Sequence, residues 1–370
     1  MIANPFTQAV DRFFGRGRYG VTVPSMDGAL QPNAALEDAT LLVTAKDADN
    51  AVACGGDLFY TTQDTVWRLR SSAEPQLVHR LPEPAAALAA SPGGQLAVAL
   101  GSGAIFLLGR GDPVHLRAAA GAGLKCLTAI EFAGEDQLLV ANGSATRSQA
   151  QWQMDLMERN SSGSLWNLGL AVDRVERVAN DLAFPCGLLA AGDAVIVAES
   201  WKHRLLRCPL RGGSAVPVAT GFPGYPGRMA RDTGGSPWLC LFAPRSQLIE
   251  FVLREHKYRR EMVRTIAPEY WIAPAYSSGD SFEEPLQGGA VKQMGILKPW
   301  APTRSYGLVV KLDADFQPVA SFHSRSDGRR HGITSVAAYG QGVAVSSRGA
   351  GALLALGGTL TIGEGHAAPH

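Results

Sequence analysis

The chain has 370 residues, of which 46% are hydrophobic and 18% charged, so it has enough apolar material for a large core. Its 34 basic residues nearly balance 33 acidic ones, so we expect neither nucleic acid nor a membrane as a partner. No secretory signal and no run of about 18 apolar residues occurs, and the five cysteines are an odd number, which together favour a bacterial-type cytoplasmic protein without a disulfide framework.

The first residues show a helical pattern. Phe6, Val10, Phe13 and Phe14 recur at helical spacing, which predicts a short helix in an N-terminal lead-in, residues 1–36. The 42 glycines and 22 prolines are spread along the chain, a distribution typical of many short strands joined by turns. The sequence therefore predicts an all-β fold after this helix.

Six segments repeat one pattern of turn, alternating strand, turn and alternating strand. A spacing near ~40 residues is what four-stranded propeller blades require. We therefore predict a six-bladed β-propeller over residues 37–358, followed by a tail, residues 359–370. The fifth segment reads GSPWLCLFAPRSQLIEFVL. The six hairpins begin at Gly55, Gly93, Glu135, Gly192, Gly235 and Gly340.

Two insertions interrupt the repeat. Trp152, Leu156 and Met157 recur at helical spacing in the first insertion and predict a helical turn over one face. The second insertion, residues 254–305, mixes basic and aromatic residues without a strand period. Long insertions in compact domains are usually lids or binding loops, so we expect a partly helical lid over the channel mouth. The alternative is a solvated surface excursion.

Several segments resemble a known family. They are AESWKHRLLRCPL, PGYPGRMARDTGGSPWLCLFAPR, YGLVVKLDADFQPVASFHS and GITSVAAYGQGVAVSSRGAGALLAL. They are similar to the strictosidine synthase-like branch of the superfamily that also holds gluconolactonase, senescence-marker protein and paraoxonase-type lactonases. The resemblance extends from about Glu135 to Leu356. It implies a ligand pocket at the mouth of the central channel, where the innermost strands begin.

The resemblance also implies a calcium ion in that mouth, held by a Glu of the first blade and by Asn or Asp of later blades. This chain departs from that pattern, because Cys186 replaces an amide and Gly227 with Arg228 replaces an acidic pair. Glu37 remains as an oxygen ligand, but a thiol and a guanidinium suit Ca²⁺ poorly. We expect the calcium site to be lost and no cofactor to be needed. A zinc site made of Glu37, Cys126, Cys186 and His331 is the alternative.

The remaining candidate residues suit carbonyl chemistry. Cys186 or Cys126 could attack a carbonyl with His331 as base and Arg228 binding the oxyanion, although isolated cysteines are more often small buried hydrophobes. Strictosidine synthases use a Glu near the start of the last blade, where this chain has Thr334, a residue that cannot act as a base near neutral pH. A condensing reaction would then need Glu37. The expected substrate contacts are Cys126, Thr334, Tyr225, Trp271, Tyr276 and Trp300.

These residues predict a metal-independent hydrolase or lyase that acts on an ester, a lactone or a related small carbonyl compound. Two alternatives stay open. One is an amine–aldehyde condensing enzyme that uses a different carboxylate, and the other is a propeller that binds a small molecule without catalysis.

Overall fold

The computed structural model describes most of the chain. The predicted N-terminal helix, Trp300 and the predicted tail lie outside the described residues. Within the described ranges, no helix is long and apolar enough to cross a membrane. The described ranges are 23–70, 74–109, 111–116, 122–171, 174–279, 284–285, 292–293, 296–297 and 303–357.

Strands dominate the described part of the chain. In chain order they are β1 (Thr40–Thr44), β2 (Ala48–Cys54), β3 (Asp57–Thr62), β4 (Thr65–Leu69), β5 (Gln76–Arg80), β6 (Ala85–Ala90), β7 (Leu96–Leu100), β8 (Ile105–Leu108), β9 (Val114–His115), β10 (Leu127–Phe132), β11 (Gln137–Asn142), β12 (Gly163–Gly169), β13 (Arg174–Leu182), β14 (Pro185–Ala191), β15 (Ala194–Glu199), β16 (Arg204–Pro209), β17 (Val216–Thr220), β18 (Gly224–Arg231), β19 (Pro237–Pro244), β20 (Lys292–Gln293), β21 (Ile296–Leu297), β22 (Gly307–Leu312), β23 (Pro318–Ser324), β24 (Ile333–Tyr339), β25 (Gly342–Ser347) and β26 (Ala352–Leu356).

All of these strands except β20 and β21 form six four-stranded antiparallel sheets, which confirms the predicted six-bladed propeller, and β20 pairs only with β21. Blades 1 to 4 are β2–β5, β6–β9, β10–β13 and β14–β17; blade 5 is β18, β19, β22 and β23; blade 6 is β24–β26 with β1. The innermost strands β2, β6, β10, β14, β18 and β24 each contact the next, and β24 contacts β2, so the ring is closed.

The first strand of the chain completes the last blade. β1 pairs antiparallel with β26, with Thr40 opposite Ala355 and Thr44 opposite Ala352. This pairing gives blade 6 its outer strand and fastens the two ends of the propeller together. The innermost strand of blade 1 is therefore β2, the second strand in the sequence.

Small residues let the six blades converge on the channel. β6 reads AAALAA, and its four central residues are buried. Gly187 on β14 lies so close to β18 that a Cβ atom there would overlap the carbonyl oxygen of Gly227. Outside this ring, β15 (AVIVAE) is buried along its whole length between neighbouring blades. The core therefore lies between the blade faces, and the channel walls are made of short side chains.

Three α-helices form the lid side of the propeller. They are α1 (Trp152–Glu158), α2 (Gln247–Arg254) and α3 (His256–Thr265), and α1 confirms the helical turn predicted for the first insertion. Their buried faces share one apolar cluster with aromatic residues of blades 4 and 5. Among the described residues, four short 3₁₀-helices cover Gly28–Leu30, Gln149–Gln151, Ser200–Lys202 and Pro268–Tyr270.

The second strand of the fifth predicted hairpin is wrong, because that segment forms helix α2. The segment QLIEFVL, predicted as the second strand of that hairpin, is helical, and Ser246 caps it by accepting a hydrogen bond from the Ile249 N–H. Ile249, Val252 and Leu253 form the buried stripe of this helix. β19 pairs with β18 on one side, and its partner on the other side is β22, which follows the insertion. The insertion therefore begins near Ser246 and not at residue 254.

Candidate functional site

The innermost strands all begin on the lid side of the propeller, where their first residues surround the channel. We call this place the lid-side mouth. It encloses a cavity of about 20 Å³, which is room for about one water molecule. Its polar lining is Asp49, Thr128, Gln149, Cys186, Arg228, Thr334 and Arg348, and its aromatic lining is Trp152, Phe184, Phe242 and Tyr276.

Asp49, near the start of β2, is the carboxylate of this mouth. Its Oδ1 accepts hydrogen bonds from Thr334 Oγ1 at 2.7 Å and from Arg228 Nη1 at 3.1 Å, and Arg348 Nη1 lies 3.5 Å from Oδ2. Burial alone would raise the pKa of Asp49, but the two guanidinium groups and the hydrogen bonds hold it below its usual value. Asp49 is therefore ionised at neutral pH.

Arg228 extends from β18 to the propeller axis and joins four blades. Besides Asp49 of blade 1, its guanidinium donates to the carbonyl oxygens of Thr334 in blade 6 at 3.1 Å and of Ala86 in blade 2 at 2.8 Å. The Arg228 Nε atom is buried without a hydrogen-bond partner among the described residues. The two terminal nitrogens of Arg228 thus hold the strand starts and Asp49 in place, while its Nε–H has no acceptor among the described residues.

The donor set of the mouth does not fit the calcium ion that the resemblance implies. Ca²⁺ takes six to eight oxygen ligands, whereas this mouth offers one carboxylate that two arginines already neutralise. No group of three or more His, Cys, Asp or Glu residues that could hold a metal occurs within the described ranges, which include all four residues of the zinc alternative. The cation beside Asp49 in this mouth is the guanidinium of Arg228.

The predicted thiol triad is not assembled. Burial raises the pKa of Cys186 to about 11, although Arg228 opposes this, and burial raises the pKa of Cys126 to about 12. Both are thiols at neutral pH. His331 does not line the mouth, because its Nδ1 is 2.8 Å from Ser305 Oγ and its Nε2 is 2.8 Å from the carbonyl oxygen of Arg325. His331 cannot be the base for Cys186 in this arrangement.

Glu37 also lies outside the mouth, which corrects its predicted role. Its carboxylate accepts hydrogen bonds from Ser324 Oγ and from the backbone N–H groups of Arg329 and Arg330. It therefore holds the loop after β23 in place. Asp49 is not among the site residues predicted from the sequence, although the segment DADNAV, just before the first predicted hairpin, contains two acidic residues and an asparagine.

Of the expected substrate contacts, Tyr276 and Thr334 line the mouth, and the Tyr276 ring stacks against Arg348, whose Cζ is 5.0 Å from the ring centroid. Tyr225 and Trp271 are buried and pack the lid side instead, with Trp271 Nε1 donating to the Ile266 carbonyl oxygen at 2.9 Å. Cys126 is likewise buried in the apolar cluster under the lid.

Comparisons with known proteins agree on the fold. No family model and no curated protein sequence matches this chain. Among solved structures, a gluconolactonase from Xanthomonas campestris is similar at 13% identity and a TM-score of 0.52, covering 87% of this chain and 90% of its own. The calcium-binding protein regucalcin from Agrobacterium tumefaciens is similar at 14% identity and a TM-score of 0.51, covering 83% and 85%.

A luciferin-regenerating enzyme is similar to the same degree, at 14% identity and a TM-score of 0.51, covering 82% of this chain and 84% of its own. These likenesses show that the chain shares its six-bladed propeller fold with these proteins. The more specific resemblance to the strictosidine synthase-like branch stays a prediction.

Proposed function

We propose that this protein is a metal-independent hydrolase of a lactone, an ester or a related small carbonyl compound, with its reaction centre at Asp49. The observation that carries the proposal is a buried, ionised carboxylate beside two arginines at the channel mouth. A carboxylate can take a proton from an attacking water, and a nearby guanidinium can stabilise the negative oxygen that forms. The fold that the chain shares with a gluconolactonase supports the same class of reaction.

The two arginines have different roles in this proposal. Arg228 donates to Asp49 and to two carbonyl oxygens, so it keeps Asp49 ionised and positioned. Arg348 lies at a longer distance from Asp49, and its side chain is 37% exposed, so its N–H groups are the ones that can reach a substrate oxygen. Arg348 is therefore the oxyanion donor in this proposal.

In the reaction, water adds to the carbonyl carbon while Asp49 takes one of its protons. The carbonyl oxygen becomes an oxyanion that Arg348 stabilises. When the intermediate collapses, the bond from carbon to the alcohol oxygen breaks, and that oxygen receives the proton from Asp49. A substrate needs more room than the 20 Å³ of the closed mouth, so the segment that carries Tyr276 has to move for it to enter.

The test is hydrolysis of a panel of lactones and aryl esters by the purified protein, with and without a chelator. We expect turnover that the chelator leaves unchanged. Asp49→Asn should lower kcat/KM by a factor on the order of 10²–10⁴, and Arg348→Gln by about 10²–10³. Glu37→Gln is the matched control and should keep the wild-type rate. Wild-type turnover by a folded Asp49→Asn protein would refute the proposal.

Asp49 already accepts hydrogen bonds from Thr334 and Arg228 and lies near Arg348. These contacts favour a second candidate, a propeller that binds a small molecule without turning it over. That candidate gains support if nothing in the ester and lactone panel, or among mixtures of an amine and an aldehyde, is converted. A condensing reaction would also have to use Asp49, because Glu37 is not in the mouth.

A further inference from the structure

A second and larger cavity lies in the channel beyond Arg228. Its volume is about 320 Å³, against about 20 Å³ at the lid-side mouth, and Arg228 lines both cavities. A cavity of this size falls in the range of small-molecule sites. Its walls are formed by the six innermost strands, and alanine is the commonest lining residue, as at Ala51, Ala89, Ala129 and Ala337.

Two opposite charges stand where this cavity ends, on the side away from the lid. We call this place the far opening, defined by the last lining residue of each innermost strand. Four of these residues are alanines, and the other two are Glu131 on β10 and Arg231 on β18. Ala53 and Arg231 are exposed to solvent, so the far opening can be reached from outside.

Glu131 and Arg231 are not satisfied by each other. In the described part of the chain they form no direct ion pair with one another, and Glu131 accepts a hydrogen bond from the backbone N–H of Ala190. Arg231 donates from Nη1 to the carbonyl oxygen of Gly235 at 2.9 Å. A carboxyl among alanine walls is costly to ionise, and burial raises the pKa of Glu131 to about 7 although Arg231 opposes this.

We propose that the far opening binds a zwitterionic α-amino acid with an apolar side chain. The ammonium group contacts Glu131, the carboxylate contacts Arg231, and the apolar side chain extends into the alanine-walled channel. Charge-assisted hydrogen bonds to both groups would replace the missing ion pair, and the channel offers apolar contact to the remainder. This site is separate from Asp49 and goes beyond the proposed hydrolase.

Calorimetric titration of the full chain with L-leucine tests the proposal, with two analogues that each lack one charge. Leucinamide has no carboxylate, and 4-methylpentanoate has no ammonium group. We expect saturable binding of L-leucine with one site per chain and binding at least tenfold weaker for each analogue. Absence of saturable binding up to about 10 mM L-leucine would overturn the proposal. Equal affinity for leucine and either analogue would overturn it too.

Variants identify the place of binding. Glu131→Gln and Arg231→Gln should each weaken L-leucine binding at least tenfold, and so should Ala53→Leu, which narrows the opening without removing a charge. The matched controls are Glu176→Gln and Arg174→Gln, an exposed acid–base pair on β13 that should leave binding unchanged. Circular dichroism confirms that each variant is folded. Wild-type affinity in folded Glu131→Gln and Arg231→Gln proteins would show that the ligand binds elsewhere.

Discussion

Replacing Asp49 with asparagine should destabilise the protein strongly. The substitution keeps the shape of the side chain and an acceptor for Thr334, but it leaves the Arg228 guanidinium without its counter-charge. The side chains of Asp49 and Arg228 are 9% and 14% exposed, so their ion pair is largely buried. Removing one partner of a buried pair costs about 3–5 kcal/mol, and we expect the free energy of unfolding to fall by about 3 kcal/mol because Arg228 keeps two carbonyl acceptors.

Urea denaturation at neutral pH, followed by tryptophan fluorescence, measures this loss. The matched control is Arg174→Gln, which breaks an exposed pair with Glu176 and should cost less than about 1 kcal/mol. The double variant Asp49→Asn/Arg228→Met should recover part of the loss, because it removes the uncompensated charge. A loss below about 0.5 kcal/mol in Asp49→Asn would show that the pair does not stabilise the mouth.

The effect of Asp49 on stability also has a pH dependence. Because the pKa of Asp49 is lowered on folding, its stabilisation is fully present above its unfolded pKa and is lost as the pH falls through the lowered folded value. The difference in unfolding free energy between wild type and Asp49→Asn should therefore be constant between about pH 5 and pH 8 and shrink in acid. A difference that shrinks above pH 5 would contradict a lowered pKa.

Three further substitutions test residues outside the Asp49 ion pair. Cys186→Ala should keep kcat/KM within about threefold of wild type in the ester and lactone assay, because a thiol with a pKa raised to about 11 is not ionised at neutral pH. Gly187→Ala should lower the unfolding free energy by about 3 kcal/mol through its clash with Gly227, whereas Gly109→Ala, in open space, should change it by less than about 0.5 kcal/mol in the same urea titration. His331→Gln should cost about 1–3 kcal/mol of stability by urea titration while leaving kcat unchanged, and a large loss of kcat in the folded variant would return His331 to the reaction centre.

The fold could be predicted because each blade hairpin has a recognisable pattern within a short stretch of sequence. Glycine turns between alternating apolar residues recur along the chain, and five of the six predicted hairpins are present. The fifth failed at QLIEFVL, where the alternation of Ile249, Phe251 and Leu253 resembles a strand. The structure instead buries Ile249, Val252 and Leu253 and leaves Phe251 51% exposed. A short apolar run fits both periods, and the Ser246 cap was the signal that distinguished them.

The site was harder to predict because its residues come from different blades, and their equivalence depends on how the ring closes. From the sequence, Glu37 is predicted to be the carboxylate that the first blade contributes to the mouth. The pairing of β1 with β26 transfers the first strand to blade 6, so the innermost strand of blade 1 begins one strand later and brings Asp49 to the mouth. No local pattern reveals that closure, since it joins residues about 300 positions apart.

The position of Arg228 could be predicted, but its partners could not, and the partners determine the chemistry. A guanidinium at the axis neutralises Asp49 as a bound cation would, yet its N–H groups are already directed at one carboxylate and two carbonyl oxygens. Its remaining Nε–H has no acceptor but is buried, so in this arrangement it is not accessible to a substrate oxygen. Polarisation of a carbonyl therefore has to come from another donor, and Arg348, held against Tyr276 at the edge of the same mouth, is the one in reach. For this reason the Arg348→Gln variant, more than any substitution at Arg228, separates a catalytic mouth from one that is only held together by charge.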